Sequence, residues 1–586
     1  MDKIRPILYG VSDYAEIRRT NAWFVDRTAK IRDLEATRFA MFLRPRRFGK
    51  SMLISILQAY YDVRYAARFE ELFAGTAIGE NPTEERNQYL ILYFNFSVVS
   101  KEPAKVQESF NTHVCIHIDA FVDVYEKMLP PETVAKVRGA ATSAAKLDIL
   151  FAGLQNTGLQ IYILIDEYDN FTNTILAESG MAAYQELCHG DGFFKQFFTV
   201  LKAMTTSLDA PVKRIFITGV SPVTMDDVTS GFNIGTNLSM RPAFADFTGF
   251  RHDDLQAIAE YYAPRCGFDA RRALDTCLLW YDNYRFAEFD APPVANTTQV
   301  LWLFDTLWQT RRFPTKLIDE NLRTDYAKIR HLITIDRRLN GNFHVLEKLI
   351  ATGTLEEELV ESFQALELTK KENFTSLLCW LGLTTIQSTT FGKTTFGIPN
   401  ETLKALAAKM LPDAYSDVHK IDERVFDIND GLVEFALHGE WRPFMTTLCA
   451  VVKENFAVRD AKEGEAVVQS TAVALLRSAR GPYLVRHEGE ANGGFYDIAL
   501  APQLSRWPEI AHAAIVELKY LKAGDPPPSS EQLAELRRQA TEQLERYAAD
   551  HDLATEWRLA SAGGHVELHR IVLVFHGGNC LLCESA

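Results

Sequence analysis

Over roughly the first 250 residues, short apolar runs alternate with amphipathic stretches. The runs have the length of buried strands, and the stretches between them repeat apolar positions every three or four residues, as helices do. The predicted strands are 39–43, 89–96, 160–169 and 214–222, and the clearest predicted helices are 50–62 and 192–208. Strands that alternate with helices predict a parallel sheet covered on both faces.

The pattern changes twice further along the chain. From about residue 251 to residue 430 helical spacing dominates, and one short strand pair is predicted within 383–400. From residue 431 onward, two helices, three strands, a proline-rich loop, a long helix and a last strand follow. The sequence therefore predicts an α/β protein of three parts: a parallel-sheet domain at 1–250, a helical lid or connector at 251–430, and an α/β/α domain at 431–586.

Composition and charge narrow the classes of protein. The 586 residues exceed what one hydrophobic core usually serves, which agrees with several domains. The net charge of −15 argues against a broadly basic surface for duplex DNA but leaves room for a local basic channel. No run approaches the roughly 20 apolar residues of a membrane span, and the N-terminus lacks the apolar core of a signal peptide. We therefore expect a soluble, cytoplasmic protein with no membrane partner.

Cysteines and histidines are the usual ligands of structural zinc. Cys580 and Cys583 form the one close pair, but zinc normally needs a second pair or histidines at matching spacing, and none follows. Reduced, free thiols are therefore expected. His512 and His576 lie on or next to predicted strands of the third part. A lone histidine in such a place more often satisfies hydrogen bonds than binds a metal.

The string FLRPRRFGKS at 42–51 ends like a phosphate-binding loop. In that pattern a glycine, four residues and then Gly-Lys-Ser or Gly-Lys-Thr are expected. Gly49, Lys50 and Ser51 stand in the required places, but Arg44 replaces the first glycine. Gly49 would let the backbone turn close to phosphate, Lys50 would bridge the β- and γ-phosphates, and Ser51 would bind Mg²⁺. The string alone leaves open an NTP site or an accidental likeness.

The string IYILIDEYDN at 161–170 supplies the expected partner. Its apolar run predicts a buried strand that ends in two carboxylates. Asp166 would hold the Mg²⁺ shell of a nucleotide, and Glu167 would polarise the attacking water. The alternative is a strand end that is merely solvated. Thr218 and Ser221, at the end of a further strand, are suited to sense a γ-phosphate.

These strings resemble the AAA-ATPase-like family of bacterial proteins, in which an arginine-rich loop of this kind is usual. The likeness spans about residues 5–290 and includes YGVSDYAEIRRTNAWFVDRT, FITGVSPVTM and WYDNYRF. It implies a P-loop ATP site with nucleotide contacts at Arg46, Arg47, Phe48, Gly49, Lys50, Ser51, Asp166 and Ser221. Arg44, Arg46 and Arg47 either add charge near the phosphates or pair with acids elsewhere on the domain.

A second set of charged residues lies in the third part of the chain. Asp497, Glu517 and Lys519 form a D-x(19)-E-x-K arrangement across two predicted strands. Residues two apart on a strand point to the same face, so Glu517 and Lys519 would project together, and Asp497 on a neighbouring strand would share a metal with Glu517. Two carboxylates favour Mg²⁺ or Mn²⁺, and Lys519 would orient water and stabilise developing charge. Standing alone, the E-x-K pair would be a surface ion pair.

Flanking helices add further candidates. Glu465 precedes the predicted strands, and Gln543 and Tyr547 follow them, four residues apart on one helical face. This order resembles the PD-(D/E)XK nuclease superfamily, in the branch fused behind AAA-ATPase-like domains, over about residues 431–580. The resemblance implies a restriction-endonuclease-like fold with catalytic roles at Asp497, Glu517, Lys519, Glu465 and Gln543. Tyr496 stands where the proline of the superfamily's name is expected.

The two resemblances together predict an ATP-binding and ATP-hydrolysing protein coupled to Mg²⁺- or Mn²⁺-dependent cleavage of nucleic acid, DNA before RNA. A role in defence or genetic conflict follows by analogy with the domain pairing. The alternative is an ATP-dependent switch whose nuclease-like domain binds nucleic acid or a partner without cutting. A monomer, a dimer and a ring-shaped homo-oligomer stay open.

Overall fold

The structure is a computed structural model, and it describes residues 4–188, 192–206, 209–228, 234–287, 291–319, 341–407, 424–455, 464–478, 482–504 and 507–586. Two compact units are present. The first takes the described residues up to Ala407, and the second takes those from Arg424 to Ala586. The described residues of the predicted middle region up to Ala407 therefore pack within the same unit as the N-terminal residues, whereas 424–430 belong to the second unit.

A five-stranded, fully parallel sheet forms the centre of the first unit. Its strands are β1 (Phe39–Leu43), β2 (Leu90–Asn95), β3 (Ile161–Asp166), β4 (Val212–Gly219) and β5 (Thr236–Asn237), in the spatial order β2-β3-β4-β1-β5. The four strands predicted from apolar runs are confirmed. Sequence analysis missed β5, because two residues are too short to show any periodicity.

Helices cover this sheet and continue into the middle region. Those of the first unit include α1 (Tyr14–Thr20), α2 (Lys30–Glu35), α3 (Lys50–Tyr61), α4 (Phe69–Phe73), α5 (Ala77–Glu80), α6 (Pro103–Tyr125), α7 (Pro131–Gly139), α8 (Ser143–Leu154), α9 (Asn170–Cys188), α10 (Phe193–Ala203), α11 (Val223–Val228), α12 (His252–Cys266), α13 (Ala270–Trp280), α14 (Thr297–Thr310), α15 (Gly341–Thr352) and α16 (Lys371–Trp380). The apolar face of α3, with Leu53, Ile54 and Leu57, is buried against residues of β1, β3 and β4. This burial fixes the helix that follows the phosphate-binding loop.

The helical middle region also holds a small antiparallel sheet of β6 (Thr354–Glu357), β7 (Thr385–Thr390) and β8 (Lys393–Gly397) in the order β6-β8-β7. The predicted strand pair is confirmed as β7 and β8. The third strand, β6, lies in an acidic stretch whose spacing predicted a helix.

The second unit is a three-layer α/β/α domain, as predicted. Its mixed sheet has the order β13-β12-β11-β10-β9, and only β11 and β12 run parallel. The strands are β9 (Tyr483–Ala491), β10 (Gly494–Pro502), β11 (His512–Leu521), β12 (Glu567–His576) and β13 (Asn579–Ser585), and the helices include α17 (Arg424–His438), α18 (Arg442–Asn455), α19 (Gly464–Ser478), α20 (Ser530–Ala548) and α21 (His551–Glu556).

Alternation along β11 explains the layers. Ala514, Val516 and Leu518 pack with residues of α17, α18 and α19, whereas Ala513 and Ile515 pack with residues of α20 and α21. The period of two therefore buries both faces of the strand under different helices. Sequence analysis missed β13, whose residues it weighed only as a cysteine pair.

Candidate functional site

The carboxyl ends of the parallel strands bring the first set of predicted residues to one edge of the sheet. The phosphate-binding loop follows β1, Asp166 is the last residue of β3, and Ser221 comes two residues after β4. Parallel strands end at the same edge, where α/β proteins bind ligands. Because β4 lies between β1 and β3, Ser221 lies between the loop and the two acids.

The loop places Lys50 and Ser51 as the motif predicts. Gly49 has a φ of 87°, a left-handed conformation that favours glycine, and it caps the N-terminus of α3. Lys50 Nζ donates hydrogen bonds to the carbonyl oxygens of Arg44 and Pro45, at 3.0 and 3.1 Å. Ser51 Oγ donates to Asp166 Oδ2 at 2.7 Å. The hydroxyl and the carboxylate proposed to share one Mg²⁺ are therefore in contact.

Asp166 has the features of a carboxylate that serves a cation. It is fully buried, and burial, followed by the nearby charge of Glu167, raises its pKa to about 6. Its Oδ1 is buried and has no hydrogen-bond partner among the residues that the structure describes. An unpaired buried carboxylate oxygen is costly in the absence of a cation or a polar ligand. The residues present therefore fit Mg²⁺ at Ser51 and Asp166.

Glu167 directly follows β3 and lines the same space as Lys50. Its Oε1 lies 3.9 Å from Lys50 Nζ, and its Oε2 accepts a hydrogen bond from Asn170 Nδ2 at 2.9 Å. The residue has a φ of 54°, which is uncommon for a glutamate. Strained backbone of this kind is concentrated at functional sites. The side chain is thus held beside the loop lysine, where the sequence predicted a water-polarising base.

Ser221 is held by an acid that sequence analysis missed. Asp169 is fully buried and accepts hydrogen bonds from the backbone N–H groups of Val220 and Ser221, at 2.8–3.1 Å. The Oγ of Ser221 is buried and has no hydrogen-bond partner in the described part of the chain, and the same is true of Thr218 Oγ1. The signal for Asp169 was a further acid in the string DEYD, on the same strand end as Asp166.

The Arg44 guanidinium binds backbone carbonyl oxygens and forms no ion pair with an acid among the described residues, so neither alternative considered for it describes its contacts. Its guanidinium is 1% exposed and donates to the carbonyl oxygens of Leu43, Ser239 and Phe244, each at 2.8 Å. It lies between the rings of Phe42 and Phe286, 4.4 Å from each centroid. Burial lowers its pKa to about 9. The residue in place of the first glycine therefore anchors the loop to the segment after β5.

We expect Arg44→Ala to destabilise the first unit by roughly 3 kcal/mol or more, because several buried carbonyl oxygens lose their donor and two rings lose their packing. Arg44→Lys should recover little, because an ammonium cannot reproduce the planar fork or stack between rings. Urea unfolding measures the change. Arg19→Ala, at an exposed ion pair with Glu16, is the matched control and should be nearly neutral. Equal stability of wild type and Arg44→Ala would contradict the anchoring role.

The remaining loop residues take different positions. Arg47 has a φ of 69°, lines the cavity described below, and accepts hydrogen bonds at its carbonyl from the N–H and hydroxyl of Thr298. Phe48 is buried edge-on against Tyr284 and Phe286 of the WYDNYRF string. Its ring therefore packs within the first unit, and its contact with nucleotide stays a prediction. Arg46 is half-buried.

A cavity of about 570 Å³ opens beside the loop. One wall is polar and is formed by the loop from Arg47 to Ser51, with Glu167 and the N-terminus of α14 at Thr297 and Thr298. The other wall is largely apolar and comes from residues 8–12, 23–25 and 247–250. A volume in this range and a mixed lining are typical of small-molecule sites.

The second set of predicted residues meets on the sheet of the second unit. The antiparallel ladder pairs Ile498 with Val516, so its continuation by one residue sets Asp497 opposite Glu517. Asp497 Oδ2 accepts a hydrogen bond from the backbone N–H of Leu518 at 2.6 Å. The charge of Asp497 also helps to raise the pKa of Glu517, which agrees with two neighbouring carboxylates.

Lys519 joins Glu517 to the flanking helix. Its Nζ donates to Glu517 Oε1 at 2.9 Å and to Gln543 Oε1 at 2.5 Å. Glu517 is 3% exposed, so the E-x-K pair is not a surface ion pair. The strand period and the helix α20 therefore bring Glu517, Lys519 and Gln543 together, as the sequence predicted.

Glu517, like Asp166, has the features of a carboxylate that binds a cation. Burial, then the charge of Asp497, raises its pKa to about 7. Its Oε2 is buried without a hydrogen-bond partner among the described residues. Asp497, whose Oδ1 and Oδ2 accept hydrogen bonds from Gln469 and from the Leu518 N–H, lies opposite Glu517 on the neighbouring strand. The two acids therefore fit one Mg²⁺ or Mn²⁺ between them.

On α19 a different residue from the predicted one reaches the acids. Gln469 Nε2 donates to Asp497 Oδ1 at 2.6 Å, and Gln469 is buried. Glu465 lies one helical turn earlier and is exposed. The spacing of four from Glu465 was the signal that could have indicated Gln469. The catalytic role of Glu465 stays a prediction.

The raised pKa of Glu517 makes a prediction about pH. In protein freed of metal by chelation, the contribution of this group to the free energy of unfolding is fully present below about pH 4.5 and is lost as the pH rises through about 7. Glu517→Gln, which stays neutral, should therefore be more stable than wild type at pH 8, and this advantage should disappear at pH 5. Urea unfolding at the two pH values measures it. Glu531→Gln, an exposed change on α20, should show no such difference. A pH-independent gap for Glu517→Gln would contradict the assignment.

Two parts of the chain that hold these residues match models of known protein families. Residues 8–229 match the family model described as "Predicted AAA-ATPase", and residues 463–585 match the model of the PD-(D/E)XK nuclease superfamily. The chain therefore contains an AAA-ATPase-like region and a PD-(D/E)XK nuclease-superfamily region. Ser51, Asp166 and Ser221 lie within the first match, and Asp497, Glu517 and Lys519 lie within the second.

Likeness to solved structures is weaker. The Walker-type ATPase PABY2304 of Pyrococcus abyssi is 11% identical, with a TM-score of 0.38, over 70% of this chain and 99% of that chain. The Aeropyrum pernix Orc1 protein in complex with DNA is 12% identical, with a TM-score of 0.26, over 69% and 98%. Scores this low carry no argument about this chain. No curated protein matches the chain.

None of the helices in the described part of the chain combines the length and the apolar character that crossing a membrane requires.

Proposed function

We propose that this protein binds and hydrolyses ATP and uses the nucleotide state to control metal-dependent cleavage of phosphodiester bonds in nucleic acid. One observation carries the proposal most directly: Glu517 is buried beside Asp497 with one unpaired oxygen, and Lys519 is held against it. Burying Glu517 next to the half-buried Asp497 and Lys519 is costly for stability, so the arrangement favours a chemical role.

At the nuclease centre, Mg²⁺ or Mn²⁺ bound by Asp497 and Glu517 would polarise the phosphodiester and lower the pKa of water. Gln469 and the Leu518 N–H hold the Asp497 carboxylate, which would share the metal with Glu517. Lys519, steered by Gln543, places a positive charge beside Glu517. It would orient the attacking water and offset the negative charge that develops on the phosphate.

At the nucleotide centre, the phosphates would lie against the loop and the N-terminus of α3, with Lys50 turned from its loop carbonyls toward the terminal phosphate. Ser51 and Asp166 would hold Mg²⁺, and Glu167 would orient water. Asp169 holds the backbone N–H of Ser221, and the Ser221 hydroxyl would contact the γ-phosphate. The apolar wall of the cavity would take the base.

DNA is the proposed substrate before RNA, in the cytoplasm of a bacterium, with a role in defence or genetic conflict. A monomer, a dimer and a larger homo-oligomer are all compatible with this proposal. The contrasting proposal is an ATP-dependent switch whose second unit grips nucleic acid without cutting it. The tight contact of Lys519 with Glu517 favours cleavage, because a gripping surface would expose its lysine to the phosphates.

The test combines cleavage with nucleotide state. Plasmid, linear duplex, single-stranded DNA and RNA are incubated with Mg²⁺ or Mn²⁺ under ATP, ADP or no nucleotide. We expect cleavage to need the metal and to change with nucleotide, and Lys50→Ala to abolish the nucleotide effect while the nuclease residues stay intact. Retarded migration of DNA without cutting would favour the gripping alternative. Equal cutting under all three nucleotide conditions would show two independent activities.

A further inference from the structure

Three potential metal ligands meet at the opposite end of β11 from the proposed nuclease centre. His512 begins β11, Glu567 begins β12, and the parallel register pairs these two residues directly. His569 lies two residues further along β12, on the same face as Glu567. The nearest ligand atoms of the three side chains all lie within 4.8 Å of one another. Among the described residues this is the one group of three or more such side chains with that spacing.

The distances are close to those of a tetrahedral metal site. His512 Nδ1 lies 3.0 Å from His569 Nε2 and 3.5 Å from Glu567 Oε2. Metal–ligand bonds of 2.0–2.1 Å at tetrahedral angles set ligand atoms about 3.3 Å apart. Small rotations of the side chains therefore bring all three atoms to bonding distance of one ion, with no movement of the strands.

The surroundings hold the two imidazoles in place. Phe435 of α17 packs against both rings, with its centroid 6.2 Å from that of His512 and 5.2 Å from that of His569. Gly439 lies so close to the ring of His512 that a Cβ there would be 3.1–3.3 Å from its atoms.

The cluster is separate from Asp497 and Glu517. His512 and Glu517 are five residues apart on one strand, which corresponds to roughly 16–17 Å. An odd separation also places them on opposite faces of the sheet, with His512 on the side of α17 and Glu517 on the side of α20. A metal held by His512 is therefore not the one that the nuclease acids would share.

We propose that His512, Glu567 and His569 form a binding site for a divalent transition metal of the Zn²⁺ class. Two imidazole nitrogens and one carboxylate oxygen suit Zn²⁺, whereas Mg²⁺ prefers oxygen ligands alone. Three protein ligands leave a fourth position, and Glu567 is 69% exposed, so that position faces solvent. The bound ion would tie the start of β11 to the start of β12. The two strands are parallel, so no short turn joins them, and a cross-link at their common end restrains the sheet.

The test uses the full chain with Asp497→Asn, which disables the proposed nuclease metal site. Zn²⁺ is titrated against a chelating dye in the absence of nucleotide and Mg²⁺. We expect one Zn²⁺ to bind per chain. His512→Ala and His569→Ala should each weaken Zn²⁺ binding by more than about 10–100-fold, which is the usual cost of losing an outer hydrogen-bond partner of a metal ligand. Glu567→Gln, an exposed change that should not disturb folding, is expected to weaken binding about tenfold or more. His576→Ala is the matched control, because this histidine ends β12 and contacts the backbone of Asp525.

Co²⁺ distinguishes the cluster from the thiols, which also bind Zn²⁺. Cys449 lies beside Cys580 and Cys583 on the same face of the sheet. Its thiol donates hydrogen bonds to both sulfur atoms, which raises the pKa of Cys449 and lowers the pKa of Cys583. Co²⁺ in the histidine cluster should lack the sulfur-to-metal charge-transfer band, and the Cys580→Ser, Cys583→Ser double variant should bind it like the parent. Unchanged Zn²⁺ affinity in Glu567→Gln and in both histidine variants would overturn the proposal. The cluster would then be a hydrogen-bonded histidine pair with an ion-paired glutamate.

Discussion

Lys519→Ala is expected to retain the divalent metal and to lose cleavage by about 10²–10⁴-fold, the usual contribution of a charge-stabilising or proton-transferring side chain. Lysine is not a metal ligand, so the two carboxylates keep their oxygens. Asp497→Ala and Glu517→Ala should instead lose both the metal and the cleavage. Mn²⁺ titration and plasmid cleavage are measured on the same three variants, because only the paired result separates a ligand from a residue that acts on the reacting groups.

The pH of this experiment matters. Lys519 lowers the pKa of Glu517, which burial holds at about 7. Removing Lys519 would raise the pKa of Glu517 further, and near pH 7 a proton would then compete with the metal for this carboxylate. Titrations are therefore run at pH 8.5 as well as at pH 7. If Mn²⁺ binding recovers at the higher pH but cleavage does not, the loss of cleavage is due to the missing lysine itself. Asp497→Asn serves as a milder partner of Asp497→Ala, since its side chain can still accept the hydrogen bond from Leu518.

Lys522→Ala is the matched control for Lys519→Ala. It removes a lysine that follows the same strand but is exposed. It should cleave like wild type. If Asp497→Ala and Glu517→Ala also cleave like wild type, the nuclease proposal is wrong and the second unit is a binding module. If Lys519→Ala cleaves normally while the two acid variants do not, the metal centre stands but the role given to the lysine fails.

The sequence predicts these sites well where local pattern and chemistry coincide. Asp166 and Ser221 directly follow apolar runs, and parallel strands must end at one edge, so their meeting follows from the order of the strings. Glu517 and Lys519 share a face because the strand period is two. In both cases the residues are near the ends of regular elements, and the geometry of those elements decides where the side chains go.

Contacts between distant segments were not predictable in the same way. The carbonyl groups that bind Arg44 come from residues nearly 200 positions later, and a carbonyl leaves no mark on the sequence. His512 was treated as a lone histidine because its partners lie on β12, more than 50 residues away, and the parallel register that joins them is invisible without the fold. Gln469 is neutral, so a search for paired charges passes over it.

An equally large effect is expected on the binding of ATP by the first unit. Lys50→Ala should weaken ATP binding by roughly 10- to 150-fold, which corresponds to the 1.5–3 kcal/mol of a hydrogen bond to a charged group. The lysine is 4% exposed, and its ammonium reaches Glu167 as well as the loop carbonyls. The nucleotide would therefore lose the cation nearest to the loop's centre. Fluorescent ATP titration, with Mg²⁺ present, measures the change.

Glu167→Gln separates binding from hydrolysis at this site. The amide keeps the size of the side chain and its contact with Asn170, but it cannot accept a proton, so ATP should bind as in wild type and phosphate release should fall by about 10²–10⁴-fold. Lys136→Ala, at an exposed ion pair on α7, is the control for removal of one positive charge and should change neither quantity. Equal ATP affinity in wild type and Lys50→Ala would remove the nucleotide site from this loop. Full hydrolysis by Glu167→Gln would instead move the role of base to another acid of the same strand end, Asp166 or Asp169.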